Sequence, residues 1–178
     1  MNQPFNLNKY IKEAGRKLAI HETLISSTLM EMGQGIVIVS RIKKNGDILM
    51  ASFLVDMYCM GVKDIHMQLS TEEVYATTKD RMIGRTNQVF LSVSPNHAFN
   101  LIYGAVEFAE ENGFTPIKDF ATAEFILDDV ESIAYEEIEF GKDGKPFYVS
   151  SSYGSDERNL RILEKTLGKG NFTYFIPE

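Results

Sequence analysis

The strongest constraint on this chain's fold is a β-hairpin signal in its first third. Residues 35–41 and 47–56 are two runs rich in β-branched and other apolar side chains. Between them, Asn45-Gly46 supplies a residue pair that tolerates the positive φ angles of a type I′ turn. Residues 58–69 are expected to continue the sheet after a kink at Gly61, and the short connections predict an antiparallel meander of three strands.

Helix-start signals mark the middle of the chain. Residues 70–73 (Ser-Thr-Glu-Glu) have the spacing of a capping box and predict a helix to about residue 83. Ser94 and Pro95 predict a longer helix, because Ser is a favoured N-cap and Pro is favoured in the first helical position. Gly113 supplies a left-handed residue that ends this helix.

The last third of the chain returns to strand signals. Residues 135–140 and 146–150 flank the turn sequence of residues 142–145 (Lys-Asp-Gly-Lys), which predicts a second hairpin. Ser155 is expected to cap a final helix, and residues 172–176 are expected to add an edge strand. Strand runs and helix runs therefore segregate along 178 residues, a length that fits one domain. The prediction is a single α+β domain, with a mostly antiparallel meander sheet covered by helices.

The apolar stripes of the predicted helices indicate one common core. In the longest helix, Phe99, Ile102 and Val106 recur at helical spacing, and Leu160 and Leu163 do so in the last helix. Because a sheet needs such a cover, all five side chains are expected to lie in the same core.

The first 20 residues predict a basic amphipathic helix over residues 7–18. One side of it carries an apolar stripe of Leu7, Ile11, Ala14 and Leu18. The other side carries four bases, Lys9, Lys12, Arg16 and Lys17. Such a helix either binds an acidic partner or membrane surface, or packs on its own domain against the acidic C-terminal half. Packing on its own domain is the favoured interpretation, and the four bases are the candidate partner-binding residues.

Charge is distributed unevenly along the chain. Residues 1–66 carry eight Lys or Arg and six Asp or Glu, whereas residues 67–178 carry ten and nineteen. Residues 119–139 alone hold eight acids and no base. Such a surface repels phosphate backbones, so a nucleic-acid partner is not expected. The acid run is either a solvated face or a docking surface for a basic protein.

Cysteine usage and the apolar runs predict the compartment. The one cysteine, Cys59, cannot form an internal disulfide, which suits the reducing cytosol. No basic stretch leads into an apolar one at the N-terminus, as it does in a signal peptide. The longest apolar run is far too short to span a bilayer. We therefore expect a cytoplasmic protein without a membrane partner.

The sequence lacks the motifs of cofactor chemistry. It has no phosphate-binding loop, no Gly-x-Gly-x-x-Gly after a strand and no Gly-x-Ser-x-Gly elbow, so no cofactor is expected. A zinc site would need Cys59 to converge with three widely spaced histidines, so no metal site is expected. Cys59 is expected to be a buried structural thiol, because a run of predicted strand separates it from His66. A small-ligand pocket is a further alternative, lined by Tyr58, Tyr103, Tyr148 and Tyr153.

The best enzyme-like constellation lies near the end of the hairpin's second strand. Asp56 ends that strand, Lys63 and Asp64 follow just beyond it, and Glu107 lies on the polar side of the longest helix. Carboxylates from a strand and a helix can hold Mg²⁺ for phosphodiester hydrolysis, with Lys63 steadying the developing charge. These four are the candidate catalytic residues of a metal-dependent nuclease. The alternative is structural, with Asp56 and Lys63 forming an ion pair or capping the kink at Gly61.

Three stretches of the chain carry a family resemblance. They are residues 38–41 (Ile-Val-Ser-Arg) through 53–64 (Phe-Leu-Val-Asp-Met-Tyr-Cys-Met-Gly-Val-Lys-Asp), residues 102–109 (Ile-Tyr-Gly-Ala-Val-Glu-Phe-Ala) with 113–116 (Gly-Phe-Thr-Pro), and residues 144–150 (Gly-Lys-Pro-Phe-Tyr-Val-Ser) with 168–172 (Gly-Lys-Gly-Asn-Phe). They resemble a family of bacterial proteins, common in the Bacteroidetes, that has no assigned biochemical activity. The resemblance runs from about Tyr10 onward, and Leu-Val-Asp-x-Tyr-Cys-x-Gly-Val-Lys is its most specific part.

The resemblance implies a role in protein assemblies. A similar module is fused elsewhere to tetratricopeptide repeats or to the small zinc-binding SEC-C motif, which are protein-binding devices. This chain has Ile117 where members tend to have His, and Ser151-Ser152 where they tend to have Gly-Pro. Any chemistry served by that His would be lost here. We expect a non-enzymatic protein-binding or regulatory module that binds a partner protein or a second copy, with the metal-dependent nuclease as the alternative.

Overall fold

The fold is built on one five-stranded antiparallel sheet. The structure is a computed structural model and describes residues 4–86, 88–150 and 156–177. The strands are β1 (Ala19–Ser26), β2 (Gln34–Ile42), β3 (Ile48–Asp56), β4 (Gly61–Ser70) and β5 (Phe90–Ser92). They lie in the order β4-β3-β2-β1-β5, and each neighbouring pair is antiparallel. The predicted α+β class and the predicted meander of β2, β3 and β4 are confirmed.

The turn of the β2–β3 hairpin differs from the predicted type. Lys43 and Asp47 close a three-residue loop, with the Lys43 N–H donating to the Asp47 carbonyl at 2.9 Å. Only Gly46 in this loop has positive φ, at 90°, so the turn is a type I turn followed by a left-handed glycine. Asn45 instead accepts a side-chain hydrogen bond from the Asp47 N–H. The prediction of a type I′ turn was wrong, because the loop has one residue more than that turn allows.

Helices cover both faces of the sheet. They are α1 (Leu7–Ala14), α2 (Ser27–Met32), α3 (Glu72–Thr86), α4 (Pro95–Glu111), α5 (Phe120–Ala123) and α6 (Asp156–Leu167). The Ser94 hydroxyl accepts from the His97 N–H at the start of α4, which confirms the predicted cap. Ser155, the predicted cap of α6, lies outside the described residues. Among the described residues, no helix has the length and hydropathy needed to cross a bilayer.

The described apolar side chains that are buried form three clusters. The largest lies on the sheet face covered by α1, α4 and α5, and it includes Phe99, Ile102 and Val106. A second lies under α3 on the other face, around Tyr75. Leu163 belongs to a third cluster beside the end of α4, against which Leu160 packs. The prediction of a single core for these five residues was wrong, because α4 already covers the sheet face that α6 would need.

The C-terminal third forms a second, two-stranded sheet. Strand β6 (Phe147–Val149) pairs in parallel with β7 (Thr173–Phe175). The turn at residues 142–145 has positive φ at both Asp143 and Gly144, as a type I′ turn requires. However, residues 135–140 form no strand, so the predicted second hairpin is wrong beyond its turn.

The N-terminal helix packs on its own domain, as the favoured interpretation had it. Ile11 is completely buried in the largest cluster, and Leu7 and Leu18 pack against that cluster. The helix is shorter than predicted, because a 3₁₀ turn at Gly15–Lys17 follows α1 and leads into β1. The apolar stripe is therefore the contact that fixes α1.

Replacing Ile11 by Ala should lower the free energy of unfolding by about 2–5 kcal/mol, because the change removes buried methyl groups and leaves a cavity. Replacing the neighbouring exposed Lys12 by Ala should change it by less than about 0.5 kcal/mol. Urea denaturation of both variants measures the difference. Equal midpoints for Ile11→Ala and the wild type would contradict this packing of α1.

Candidate functional site

Asp56 is a buried turn residue. Its side chain is completely buried, and its Oδ1 atom accepts from the N–H groups of Tyr58 at 2.9 Å and Cys59 at 3.1 Å. Its Oδ2 atom lies 3.4 Å from Nε2 of Gln34. Lys63 donates to Oε1 of Gln34 at 3.3 Å. The structure supports the alternative in which Asp56 caps the kink at Gly61, because its carboxylate holds the turn that leads into β4.

Burial shifts the pKa values of the two titratable side chains in this turn, Asp56 and Cys59. Removal from water raises the pKa of Asp56, and the nearby Lys63 ammonium and the backbone N–H groups only partly oppose that rise. The same burial, with the Asp56 charge as a smaller contribution, raises the pKa of the Cys59 thiol to about 12. Cys59 is therefore a neutral, buried thiol at physiological pH and lacks the thiolate that a nucleophile needs.

The four candidate catalytic residues do not form a metal centre. Asp64 is exposed in β4, where it pairs in register with Leu54. Glu107 is exposed on α4. Within the described parts of the chain, no three His, Cys, Asp or Glu side chains lie close enough together to hold a metal ion. The predicted nuclease site of Asp56, Lys63, Asp64 and Glu107 is therefore not assembled.

A polar cluster under α3 was not predicted from the sequence. The Tyr75 hydroxyl and the Lys79 ammonium both donate to Oε1 of Glu22, each at 2.5 Å. Burial alone would raise the pKa of Glu22, but these two hydrogen bonds hold it below its usual value. Burial and the Glu22 hydrogen bond raise the pKa of Tyr75 above its usual range. Because Tyr75 is only 2% exposed, this cluster anchors α3 and offers no reactive hydroxyl to solvent.

The four tyrosines of the predicted ligand pocket also lie apart. Tyr103 lies beside residues 128–140, and its hydroxyl donates to the Asp128 carbonyl at 2.9 Å. Tyr148 is buried in the third cluster, whereas Tyr58 lines a different surface cavity. Tyr153 lies outside the described residues. A single pocket lined by all four is therefore not formed by the described side chains.

An extended segment crosses α4, and we call residues 133–140 the strap. Along its second half, inward and exposed side chains alternate, and Ile138 and Phe140 pack against the largest cluster. The strap has no strand neighbour in the described structure. Its backbone is instead bonded to two asparagines of α4, through the N–H and C=O of Ala134 and the N–H of Glu136. The bonds are Ala134 N–H to Asn96 Oδ1 at 2.9 Å, Asn100 Nδ2 to the Ala134 carbonyl at 2.9 Å, and Glu136 N–H to Asn100 Oδ1 at 3.2 Å.

A glycine lets the strap approach the helix closely. A Cβ atom on Gly104 would lie 2.6 Å from the Phe140 ring, which no side chain could accommodate without a shift. The Phe140 ring stacks on Phe108, with ring centroids 5.9 Å apart. The strap is thus fixed at one end by asparagine hydrogen bonds and at the other by aromatic packing.

The best candidate site is the groove between α4 and the strap. It encloses about 320 Å³. Its lining includes Glu107, Glu111 and Glu136 together with the aromatic side chains of Tyr103, Phe108, Tyr135 and Phe140. Tyr135 is 87% exposed, and Val130, at the rim, is 55% exposed. The groove therefore presents carboxylates beside exposed apolar surface, which we call the acidic groove.

The acids in and around the groove divide into paired and unpaired groups. Asp128 binds Arg41, Asp129 binds Arg16, and Glu136 lies 2.6 Å from Nδ1 of His97. In the described structure, Glu107 and Glu111 of α4 have no hydrogen-bond or ion-pair partner. Two unpaired carboxylates thus line the groove, where a ligand can reach them.

The four N-terminal bases have different environments. Arg16 is half-buried, bonded to Asp129 at 3.0 Å, and lies 4.8 Å from the centre of the Phe125 ring. Lys9 lies 3.9 Å from Glu13 on its own helix. Lys12 and Lys17 are exposed. Arg16 is therefore used within the domain, which leaves Lys9, Lys12 and Lys17 as the exposed part of the predicted basic surface.

Replacing Asp56 by Ala should lower the free energy of unfolding by at least about 2 kcal/mol, because two backbone N–H donors lose their acceptor. Asp56→Asn keeps an acceptor oxygen and removes the buried charge. In the folded protein the pKa of Asp56 is raised above 3.8. The contribution of Asp56 to the free energy of unfolding is therefore fully present below pH 3.8 and is lost as the pH rises through the folded-state pKa. The stability of Asp56→Asn relative to the wild type should therefore increase across that window.

Urea denaturation at a series of pH values measures both effects. A difference between Asp56→Asn and the wild type that stays constant across the series would contradict the raised pKa. An Asp56→Ala variant as stable as the wild type would contradict the capping role.

Comparisons with known proteins identify no relative of the chain. No family model, no curated protein and no solved structure matches it. The resemblance carried by Leu-Val-Asp-x-Tyr-Cys-x-Gly-Val-Lys therefore stays a prediction.

Proposed function

We propose that this chain is a non-enzymatic protein-binding module whose acidic groove receives a basic, partly apolar segment of a partner protein. The observation that carries the proposal is the pair of unpaired carboxylates, Glu107 and Glu111, beside exposed aromatic surface. Carboxylates without an internal partner can bind cations from outside at no cost to an existing ion pair.

The chemistry of the groove favours Lys or Arg side chains over other ligands. The aliphatic stem of such a side chain covers apolar surface while its charged end meets a carboxylate. A cation close to an aromatic face gains about 0.5–1 kcal/mol at an exposed site. Tyr135 and Phe108 supply such faces in the groove. A phosphate-bearing ligand would instead be repelled by the acids that surround it.

The shape of the site favours a chain segment over a small molecule. The groove is partly open to solvent, and a second concavity of about 380 Å³ lies beside the strap. Ile138 lines both concavities. Small-molecule sites usually enclose most of their ligand, which an open double concavity does not do. A peptide that crosses the strap could place successive side chains in each concavity.

The resemblance inferred from the sequence implies the same kind of function. It implies a module that is fused elsewhere to protein-binding repeats and motifs, which is what a binding domain within an assembly would require. The nuclease alternative has no comparable support, because its acids are not brought together among the described residues.

The test is a binding measurement with an acetylated Arg-Leu-Arg-Leu-Arg peptide amide carrying a fluorophore. Fluorescence anisotropy should give saturable binding that weakens as salt is added, because exposed charges are screened. The double variant Glu107→Gln/Glu111→Gln should bind about 5- to 30-fold more weakly, since two partly exposed ion pairs contribute about 0.5–1 kcal/mol each.

The matched control makes the same charge change at two exposed acids outside the groove. Glu110 is exposed on α4 but does not line the groove, and Glu73 is exposed on α3. The variant Glu110→Gln/Glu73→Gln should bind the peptide like the wild type. An equal loss in both double variants, or equal binding of a Glu-Leu-Glu-Leu-Glu peptide, would overturn the proposal.

A further inference from the structure

Among the described strands, β4 has a neighbour on one side only. It pairs with β3 from Ile48↔Ser70 to Asp56↔Gly61, and the strand order places it at the edge of the sheet. Outside the β3 ladder, residues 62–70 make no backbone hydrogen bond to any described part of the chain. The opposite edge strand, β5, has only three residues. Beyond a β-bulge at Lys63, residues 64–70 of this edge present a row of N–H and C=O groups to another strand.

Two exposed side chains project from this edge strand on the same face. Asp64 pairs in register with Leu54 and His66 with Ser52, and residues two apart on a strand share a face. Both are exposed, and neither has a hydrogen-bond or ion-pair partner within the described residues. Lys63, by contrast, is directed to Gln34. The edge therefore carries one acid and one imidazole that are open to a cross-strand partner.

The spacing of these two residues selects one register for a second copy. Two β4 strands related by a two-fold axis pair antiparallel, and the residue at the centre lies opposite itself. Centring on Asp64 or on His66 places like residues opposite each other. Centring on Ile65 places Asp64 opposite His66 of the partner subunit, and the reverse contact forms by symmetry.

We propose that a second copy of this chain pairs with β4 edge to edge in this register, so that the sheet continues across the two copies. Residues 64–66 of each copy lie opposite one another, beyond the β-bulge at Lys63, and each imidazole N–H donates to the facing carboxylate. Cross-strand pairs of opposite character stabilise a sheet, and like charges directly opposite destabilise it. The contact includes no residue of the acidic groove, so it stands independently of the proposed function.

The test is the mass in solution of the full chain and its variants, measured by sedimentation velocity over a concentration series. The wild type should form dimers. His66→Glu should weaken self-association about tenfold or more, because it places acids opposite acids at both symmetric positions. The double variant Asp64→Lys/His66→Glu should restore the dimer, because the two charges are exchanged.

The control is His21→Glu, which changes an exposed histidine on β1 in the same sheet and should leave the dimer unchanged. Far-ultraviolet circular dichroism of each variant confirms that it is folded. A wild type that stays monomeric over the whole series would overturn the proposal. So would a His66→Glu variant that dimerises like the wild type, or a folded double variant that does not recover.

Discussion

The contact on which the rest of the structure depends is the buried guanidinium of Arg41. It lies in β2 and is only 2% exposed, so its charge has to be met within the protein. Its donors bond to the carbonyls of Ile126 at 2.6 Å and Leu18 at 2.7 Å, and to Oδ1 of Asp128 at 2.6 Å. These partners come from the segment before β1 and from the segment that leads into the strap. The Arg41 side chain thus joins β2, in the middle of the sheet, to the segment before β1 and to the segment that leads into the strap.

The acidic groove follows from that arrangement. Because Asp128 is fixed by Arg41, the chain after it is directed across α4, where Asn96 and Asn100 bind its backbone. Asp128 and Asp129, which pair with Arg41 and Arg16, fix the segment that leads into the strap. Glu107 and Glu111 of α4 line the groove without such partners. Paired acids therefore hold the structure, and unpaired acids form the binding surface.

Local chemistry predicted some elements well, and contacts distant in sequence decided the others. The hairpin and α4 were predictable because turn and cap residues act within a few positions. The strap has the alternation of a strand, but its hydrogen-bond partners are asparagine side chains of a helix, which no local pattern reveals. The sequence shows that Asp56 ends a strand, which is a common position for a catalytic acid. It does not show that Asp56 is buried, because burial depends on the fold around it. Strand β1 was missed, since it has no turn signal of its own and becomes a strand by pairing with β2 and β5.

The most direct measurement is amide hydrogen exchange in Arg41→Met compared with the wild type. Without the guanidinium, the strap loses its fixed starting point, and locally held amides exchange through opening of that segment alone. Protection of the Ala134 and Glu136 amides should fall about tenfold more than protection of amides in the β2–β3 hairpin. Strap amides that keep their protection, or that lose it in equal proportion to the hairpin, would contradict the role assigned to Arg41.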